Sequence, residues 1–463
     1  MERWQNQEEA VQFALSRPAV MLDMDMGTGK TRVALDTAFE RQDVNKILIV
    51  CPKAVLPVWR LNLEKFHNGD RWVCWDDKKG TVKDKAKSIR NFIECNKSAD
   101  KLFVVVNYDI VWRNELGDYI HRSSVFNMII LDESHRAKAA GSKVSKYLGM
   151  VGKHTPYKMC LSGTPMSNSP LDVYGQYRFL DNRIFGTNYN LFEQMYAIKG
   201  GPDLRFVVGF KNQQDLQRKF ASIAYSCKMS DIRDRLKLPE ELPPTQRIVQ
   251  LPAKDMKTLR ELSREFIAEC GTGHVVAQNA LVKILRMQQI SSGFCQTQEN
   301  PLEDPIIEDL NTAKHDELLD ILSDVSPLAS VVVFCVFRHD IGVIRQAARE
   351  AKREVFEVSG SENSLEEWKK VDGAVIAVQI QAGAEGIDMT KSHHAIYFSI
   401  PHSLAMYNQS KARLYRPGQE NAVSFIHLIA EGTIDEAMYR SLEAKKDIIE
   451  SIKYGTFDFG YIK

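Results

Sequence analysis

Short apolar runs rich in valine and isoleucine recur through the first third of this chain, each followed by a longer stretch with helical spacing. They are Val20 to Leu22, Ile47 to Val50, Leu102 to Val106, Met128 to Leu131 and Met159 to Leu161. Strand alternating with helix is the pattern of a parallel sheet wrapped by crossover helices, so the predicted fold class is α/β. The rhythm returns in Val331 to Cys335, Val375 to Val378, Ala395 to Phe398 and Phe425 to Ile429, which predicts a second parallel-sheet lobe.

At 463 residues the chain exceeds one ordinary hydrophobic core, and two or three domains are expected. Residues 232–310 differ in character from what flanks them. They open with Leu238-Pro239-Glu240-Glu241-Leu242-Pro243-Pro244, continue into helix-patterned segments around Leu259 to Ile267 and Val275 to Gln289, and meet a second break near Pro301 and Pro305. The predicted division is therefore an N-terminal lobe over 1–231, a hinge with a short helical insert over 232–310, and a C-terminal lobe over 311–463.

Composition narrows the class less than the pattern does. Lysine plus arginine number 61 against 60 acidic residues, so any nucleic-acid surface must be a local concentration of positive charge. The eight cysteines form no CxxC pair, and the histidines do not cluster at zinc-finger spacing, which favours buried thiols in a reducing compartment. No apolar run reaches membrane-spanning length and the start, Met1-Glu2-Arg3-Trp4-Gln5, is polar. A cytoplasmic location, or a nuclear one in a eukaryote, is expected, with no membrane partner.

The first apolar run leads into Asp25-Met26-Gly27-Thr28-Gly29-Lys30-Thr31 and then a helical stretch. In that context glycines let backbone N–H groups converge on phosphate oxygens at a helix N-terminus. Lys30 adds a mobile charge and the Thr31 hydroxyl can ligate magnesium. Met24 stands where the longer GxxxxGK[ST] motif has its first glycine, so the match is to a shortened form; the alternative is a tight turn with no ligand. Met128 to Leu131 runs into Asp132-Glu133-Ser134-His135, which puts two carboxylates at a strand's C-terminal edge. Asp132 suits magnesium and Glu133 suits orienting and deprotonating water, the alternative being a solvated acidic pair. Late in the chain Gln409, Arg413 and Arg416 share one helical face. That face is either a solvated basic surface or a source of arginine fingers for a γ-phosphate.

Taken in order, these motifs resemble superfamily 2 helicases, and specifically their Swi/Snf-type translocases, over nearly the whole chain. Ile47 to Lys53 with Trp59 is similar to motif Ia, Val106-Asn107-Tyr108 to Ib, and Leu161-Ser162-Gly163-Thr164-Pro165 to motif III. Val332 to Phe337 is similar to motif IV, Gln381 to Thr390 to motif V, and Gln409 to Gln419, ending Arg416-Pro417-Gly418-Gln419, to motif VI. The resemblance implies two RecA-like lobes, with ATP and Mg2+ as cofactors. It places nucleotide contacts at Gln7, Gly27, Thr28, Gly29, Lys30, Thr31, His135, Gly386, Asp388 and Gln409, catalytic roles at Lys30, Asp132, Glu133, Arg413 and Arg416, and metal binding at Thr31 and Asp132. Ser134 stands where the family usually has alanine, and Gly386-Ile387-Asp388 replaces the commoner Gly-Leu-Asn.

The same resemblance implies a groove that grips the phosphates of duplex DNA without reading sequence, with Lys53, Tyr108, Thr164, Gln381 and Thr390 as candidates; each could equally be a loop cap or core-edge residue. A monomer with a possible targeting partner is expected. The stretch from Lys78-Lys79 to Lys87, interleaved with Asp76, Asp77 and Asp84, reads as a solvated helix face. Two other functions stay open: a strand-separating helicase on single-stranded DNA or RNA, favoured by the Asp388 form of motif V, and an ATP-gated clamp with little turnover.

Overall fold

The computed structural model describes residues 2–76, 80–166, 169–200, 206–265, 267–270, 273–276, 280–297, 306–383 and 387–444. The chain divides into two compact units, Met1–Leu236 and Lys237–Lys463.

In the first unit the strands are β1 (Ala19–Met24), β2 (Lys46–Cys51), β3 (Trp72–Trp75), β4 (Lys101–Asn107), β5 (Met128–Asp132) and β6 (Tyr157–Ser162), an antiparallel hairpin of β7 (Ala197–Gly200) and β8 (Phe206–Phe210), and β9 (Ala224–Cys227). Seven of these form one sheet in the order β3-β4-β2-β5-β6-β1-β9. Every pair in it is parallel. Two-residue periodicity then sorts the apolar strands onto two buried faces. Ile47, Ile49, Phe103, Val105, Met128 and Ile130 pack with the helices Gln5–Leu15, Lys30–Glu40 and Leu56–Phe66. Their neighbours Leu48, Val50, Val104, Val106, Ile129 and Leu131 pack on the opposite face with helices including Val82–Cys95 and Val173–Leu180.

The second unit contains β10 (Thr245–Val249), the antiparallel hairpins β11 (Ile267–Cys270) with β12 (Gly273–Val276) and β13 (Phe294–Thr297) with β14 (Ile306–Asp309), and then β15 (Val331–Cys335), β16 (Val355–Val358), β17 (Val375–Gln379), β18 (His394–Tyr397) and β19 (Ser424–Ala430). Its sheet runs β10-β19-β18-β15-β17-β16, again all parallel. Val331, Val333, Cys335, Val375, Ala377 and Ile396 face a core shared with the helices Ala313–Asp324 and Arg338–Glu350. Both lobes are thus parallel α/β sheets, and each apolar run picked out in the sequence falls on a strand. Thr245–Val249, expected within a helical insert, is instead the edge strand beside β19. With one side unpaired and most of its residues exposed or half-buried, it lacks the continuous apolar run of a central strand. Among the described residues no helix is long and apolar enough to cross a membrane.

Candidate nucleotide site

In the first sheet β6 lies between β5 and β1, so the segments leaving these three strands emerge side by side at one edge. Register keeps them level, with Asp132 of β5 beside Leu161 of β6, and Asp23 of β1 beside Ser162.

The segment after β1 turns through Gly27 at φ +82° and Gly29 at φ +93°, a left-handed region that residues with a Cβ enter only at a cost. The helix Lys30–Glu40 then begins with no acidic residue in its first turn, so no carboxylate of its own occupies its positive end. Lys30 Nζ donates to the carbonyls of Met24 (2.7 Å) and Asp25 (3.3 Å), curling its ammonium back over the loop. Thr28 is fully buried and its hydroxyl donates to the Asp25 carbonyl at 2.7 Å. Behind the loop, Asn6 Nδ2 and Gln7 Nε2 both donate to the Thr28 carbonyl, at 3.3 and 3.4 Å. Gln7 also accepts from the Trp4 N–H and is only 2% exposed, so here its amide braces the loop. Thr31 sits half-buried in the first helical turn.

At the end of β5 Asp132 is buried, and both its carboxylate oxygens accept hydrogen bonds. The Trp59 indole N–H donates to Oδ2 and the Glu133 N–H to Oδ1, each at 3.0 Å. Burial raises the Asp132 pKa and the Glu133 charge adds to the rise, while Lys30 and the Trp59 bond oppose it. Glu133 itself is left-handed, at φ 49° and ψ 53°. A non-glycine residue held there costs about 1–3 kcal/mol, which the surrounding packing must hold in place. Its Oε2 lies 3.3 Å from His135 Nδ1, and that nitrogen lies 3.3 Å from Ser162 Oγ. Ser162 Oγ in turn accepts the Thr164 N–H at 3.1 Å. The bare Cα of Gly163 lets this third segment lie against the first: a Cβ there would come within 3.3 Å of the Met24 carbonyl and 3.5 Å of Lys30 Nζ. Lys30, Asp132, Glu133 and His135 are thus brought together around three adjacent strand ends.

The half-buried Thr31 hydroxyl and the buried Asp132 carboxylate are hard oxygen donors of the kind that magnesium prefers. Among the described residues no group of three or more His, Cys, Asp and Glu side chains could hold a metal ion.

The second unit carries its own cluster. The helix Leu404–Leu414 holds buried Gln409 and half-buried Arg413, and Arg416 follows in the next turn. The Met389 N–H donates to the Arg413 carbonyl at 3.0 Å. The buried Gln419 amide donates to the carbonyls of Thr390, Ser392 and Leu414, pinning the helix end to the 388–392 loop. Burial works against the Asp388 charge, yet the Thr390 N–H and the field of Arg416 hold its carboxyl below its ordinary range. Thr390 donates both N–H and hydroxyl to Asp388 Oδ1, a local turn that occupies it. Gln381 is exposed, and Gly386 lies outside the described residues.

Of the other candidates for nucleic acid, Lys53 is exposed and Thr164 half-buried. Tyr108 does not lie at a surface: it is 6% exposed, and its hydroxyl donates to the Asp132 carbonyl at 2.8 Å. The reason is topological, because β4 and β5 flank β2 and the residue leaving β4 reaches the end of β5. Sequence reasoning missed three participants. Trp59 enters the sequence pattern only as part of a motif, Gln176 carries no sequence signal, and Ser134 stands out only as the residue where the family usually has alanine. Ser134 Oγ donates to Gln176 Oε1 at 2.7 Å, and Gln176 Nε2 to the Pro165 carbonyl at 2.7 Å, a fully buried bridge between the second and third segments.

Comparison with known proteins places this architecture. The model of the SNF2-related domain matches residues 6–296, and that of the helicase conserved C-terminal domain matches residues 313–418. Curated relatives include the Caenorhabditis elegans SWI/SNF-related matrix-associated actin-dependent regulator of chromatin subfamily A-like protein 1 homolog, 24% identical across 98% of this chain and 62% of that protein. Human DNA annealing helicase and endonuclease ZRANB3 is 24% identical across 97% of this chain and 40% of that protein. The putative ATP-dependent helicase/translocase YwqA of Bacillus subtilis is 23% identical across 92% of this chain and 46% of its own length. The chain thus spans less than two thirds of the length of these relatives. Among solved structures, the Sulfolobus solfataricus SWI2/SNF2 ATPase core in complex with dsDNA aligns at 18% identity and a TM-score of 0.45, covering 98% of this chain and 94% of that one. With more than half of its length matched by one family model, the chain belongs to the SNF2-related domain family and continues into a helicase conserved C-terminal domain.

Proposed function

We propose that this chain is a nucleic-acid-stimulated ATPase that couples hydrolysis to movement along duplex DNA, bound without regard to sequence. The observation that carries the reading is the convergence of Lys30, Asp132, Glu133 and His135 at the adjoining ends of β1, β5 and β6, beside a helix N-terminus with no acidic residue in its own first turn. On this reading the loop N–H groups and Lys30 hold the β- and γ-phosphates, with Thr31 and Asp132 as the residues for magnesium, which supplies charge neutralisation on the phosphates. Glu133, steadied by His135, orients a water toward the γ-phosphorus and takes its proton. The new P–O bond forms as the bond to the bridging oxygen breaks, and ADP leaves with that oxygen. Arg413 and Arg416 are the groups in the second unit suited to offset charge on the transferring phosphoryl group.

Lys53, Thr164, Gln381 and Thr390 are the candidate contacts to the phosphate backbone, and Gln409, Gly386 and Asp388 further candidates at the nucleotide. Relatives that include a DNA annealing helicase and a putative helicase/translocase support DNA as the partner. Action as a cytoplasmic monomer, targeted by a protein partner, belongs to the same proposal. The test is steady-state ATP turnover with no nucleic acid and with duplex DNA, single-stranded DNA or RNA. Strong acceleration by duplex is expected; equal rates in all four conditions would overturn the coupling, and acceleration by single strands alone would favour strand separation.

A further inference from the structure

Two side chains from segments that resemble nucleic-acid-contacting motifs end on the same aspartate. Trp59 is fully buried in the helix Leu56–Phe66, which follows directly on the short 3₁₀ turn Lys53–Val55 that carries exposed Lys53. Its only polar atom, the indole N–H, donates to Asp132 Oδ2. Tyr108 is the first residue after β4, and its hydroxyl donates to the Asp132 carbonyl. The carboxylate is therefore held on both oxygens, by Trp59 and by the Glu133 N–H, while Tyr108 fixes the backbone beneath it. An indole in a packed core has few alternative rotamers, so any shift of the Lys53 turn along the helix axis is carried to the carboxylate.

We infer that Trp59 and Tyr108 are positioning residues for Asp132, joining the turn at Lys53 and the strand exit at Asn107 to the magnesium-binding carboxylate. The inference rests on the proposed ATPase reading and adds to it a route by which nucleic acid at the first unit regulates hydrolysis. Neither residue touches substrate in this scheme. Each acts by fixing the direction in which Asp132 presents its remaining lone pairs.

The test uses Trp59→Phe and Tyr108→Phe in the whole chain, the second removing one oxygen and leaving the ring packing intact. Binding of a fluorescent ADP is titrated in EDTA and across a magnesium series, and turnover is measured over the same series with and without duplex DNA. Trp59→Phe is expected to raise the magnesium concentration for half-maximal ADP binding and turnover about 10-fold, the scale of one lost hydrogen bond to a buried charge. Tyr108→Phe should shift it about 3-fold, and both should blunt acceleration by DNA while leaving ADP binding in EDTA unchanged. Wild-type magnesium dependence in both variants overturns the inference, as does equal loss of ADP binding in EDTA and in magnesium. A wild-type chain that DNA does not accelerate overturns the proposed function instead, and the magnesium dependence of ADP binding still reads the positioning role.

Discussion

Replacing Gly175 by alanine perturbs the site from behind. The helix Val173–Leu180 packs against the turn Ser134–Ala137, and a Cβ on Gly175 would lie 2.2 Å from the Ala137 carbonyl oxygen and 2.7 Å from that of Lys138. Ordinary carbon–oxygen contacts are about 3.3–3.6 Å, so the helix must retreat by roughly 1 Å. Both obstacles are backbone, so no rotamer change relieves them. Alanine's helix propensity contributes about 1 kcal/mol in favour, while overpacking costs about 3 kcal/mol at the upper end of its usual range, leaving about 2 kcal/mol of net destabilisation. Gly342 is the control. It lies in the helix Arg338–Glu350 with nothing within 4 Å of its would-be Cβ, and Gly342→Ala should stabilise its unit by about 0.5–1 kcal/mol. Urea unfolding followed by tryptophan fluorescence reads the first unit, because Trp4, Trp59, Trp72, Trp75 and Trp112 all lie there and only Trp368 lies in the second; far-UV circular dichroism follows both. The retreat should also stretch the Ser134–Gln176 bond next to Glu133 and slow ATP turnover. A Gly175→Ala chain with wild-type stability and turnover would refute the packing argument.

Three further outcomes are expected. Gly29→Ala should weaken nucleotide binding, because its Cβ would lie 2.1 Å from Gln7 Nε2 in a left-handed backbone; adding Gln7→Ala should recover part of the loss, and full recovery would show that the backbone carries no strain. Lys314→Met should destabilise the second unit by about 3–5 kcal/mol, since breaking the fully buried Lys314–Asp435 pair at 2.7 Å would leave the carboxylate without its counter-ion; a change in unfolding free energy under about 1 kcal/mol contradicts this. Burial pushes the His427 imidazole down to about 3 from an ordinary 6.5, so the folded form resists a proton that the unfolded chain accepts. Its contribution to stability is complete above pH 6.5 and is lost as pH falls toward 3, by about 2 kcal/mol at pH 5. His427→Phe, which keeps the stack on Tyr397, should flatten that acid limb of the melting curve, and an unchanged limb would count against the burial argument.

Much of the fold was legible because parallel strands covered on both faces are continuously apolar, and runs such as Ile47–Val50 and Val331–Cys335 are short, rich in β-branched residues and apolar throughout. The glycine loop and the Asp132-Glu133 pair were legible because their chemistry needs those residue types in sequence. β10 was not, since an edge strand can be Thr-Gln-Arg-Ile-Val and still pair. The roles of Tyr108, Trp59 and Gln176 were hidden for another reason. Each acts on a residue distant in sequence, 24, 73 and 42 positions away, and only strand order decides which distant ends meet. Gln7 shows the reverse, a residue named by resemblance whose amide is occupied by Trp4 and Thr28.

On the proposed reading the first unit holds ATP through Lys30 and cleaves it through Glu133. Equilibrium ATP binding and single-turnover hydrolysis, measured side by side in the wild type, Lys30→Ala and Glu133→Gln, test it most directly. Glu133→Gln is expected to bind ATP as tightly as the wild type and leave it uncleaved, while Lys30→Ala is expected to fail to bind. Cleavage at the wild-type rate in Glu133→Gln, or unweakened ATP binding in Lys30→Ala, would contradict it.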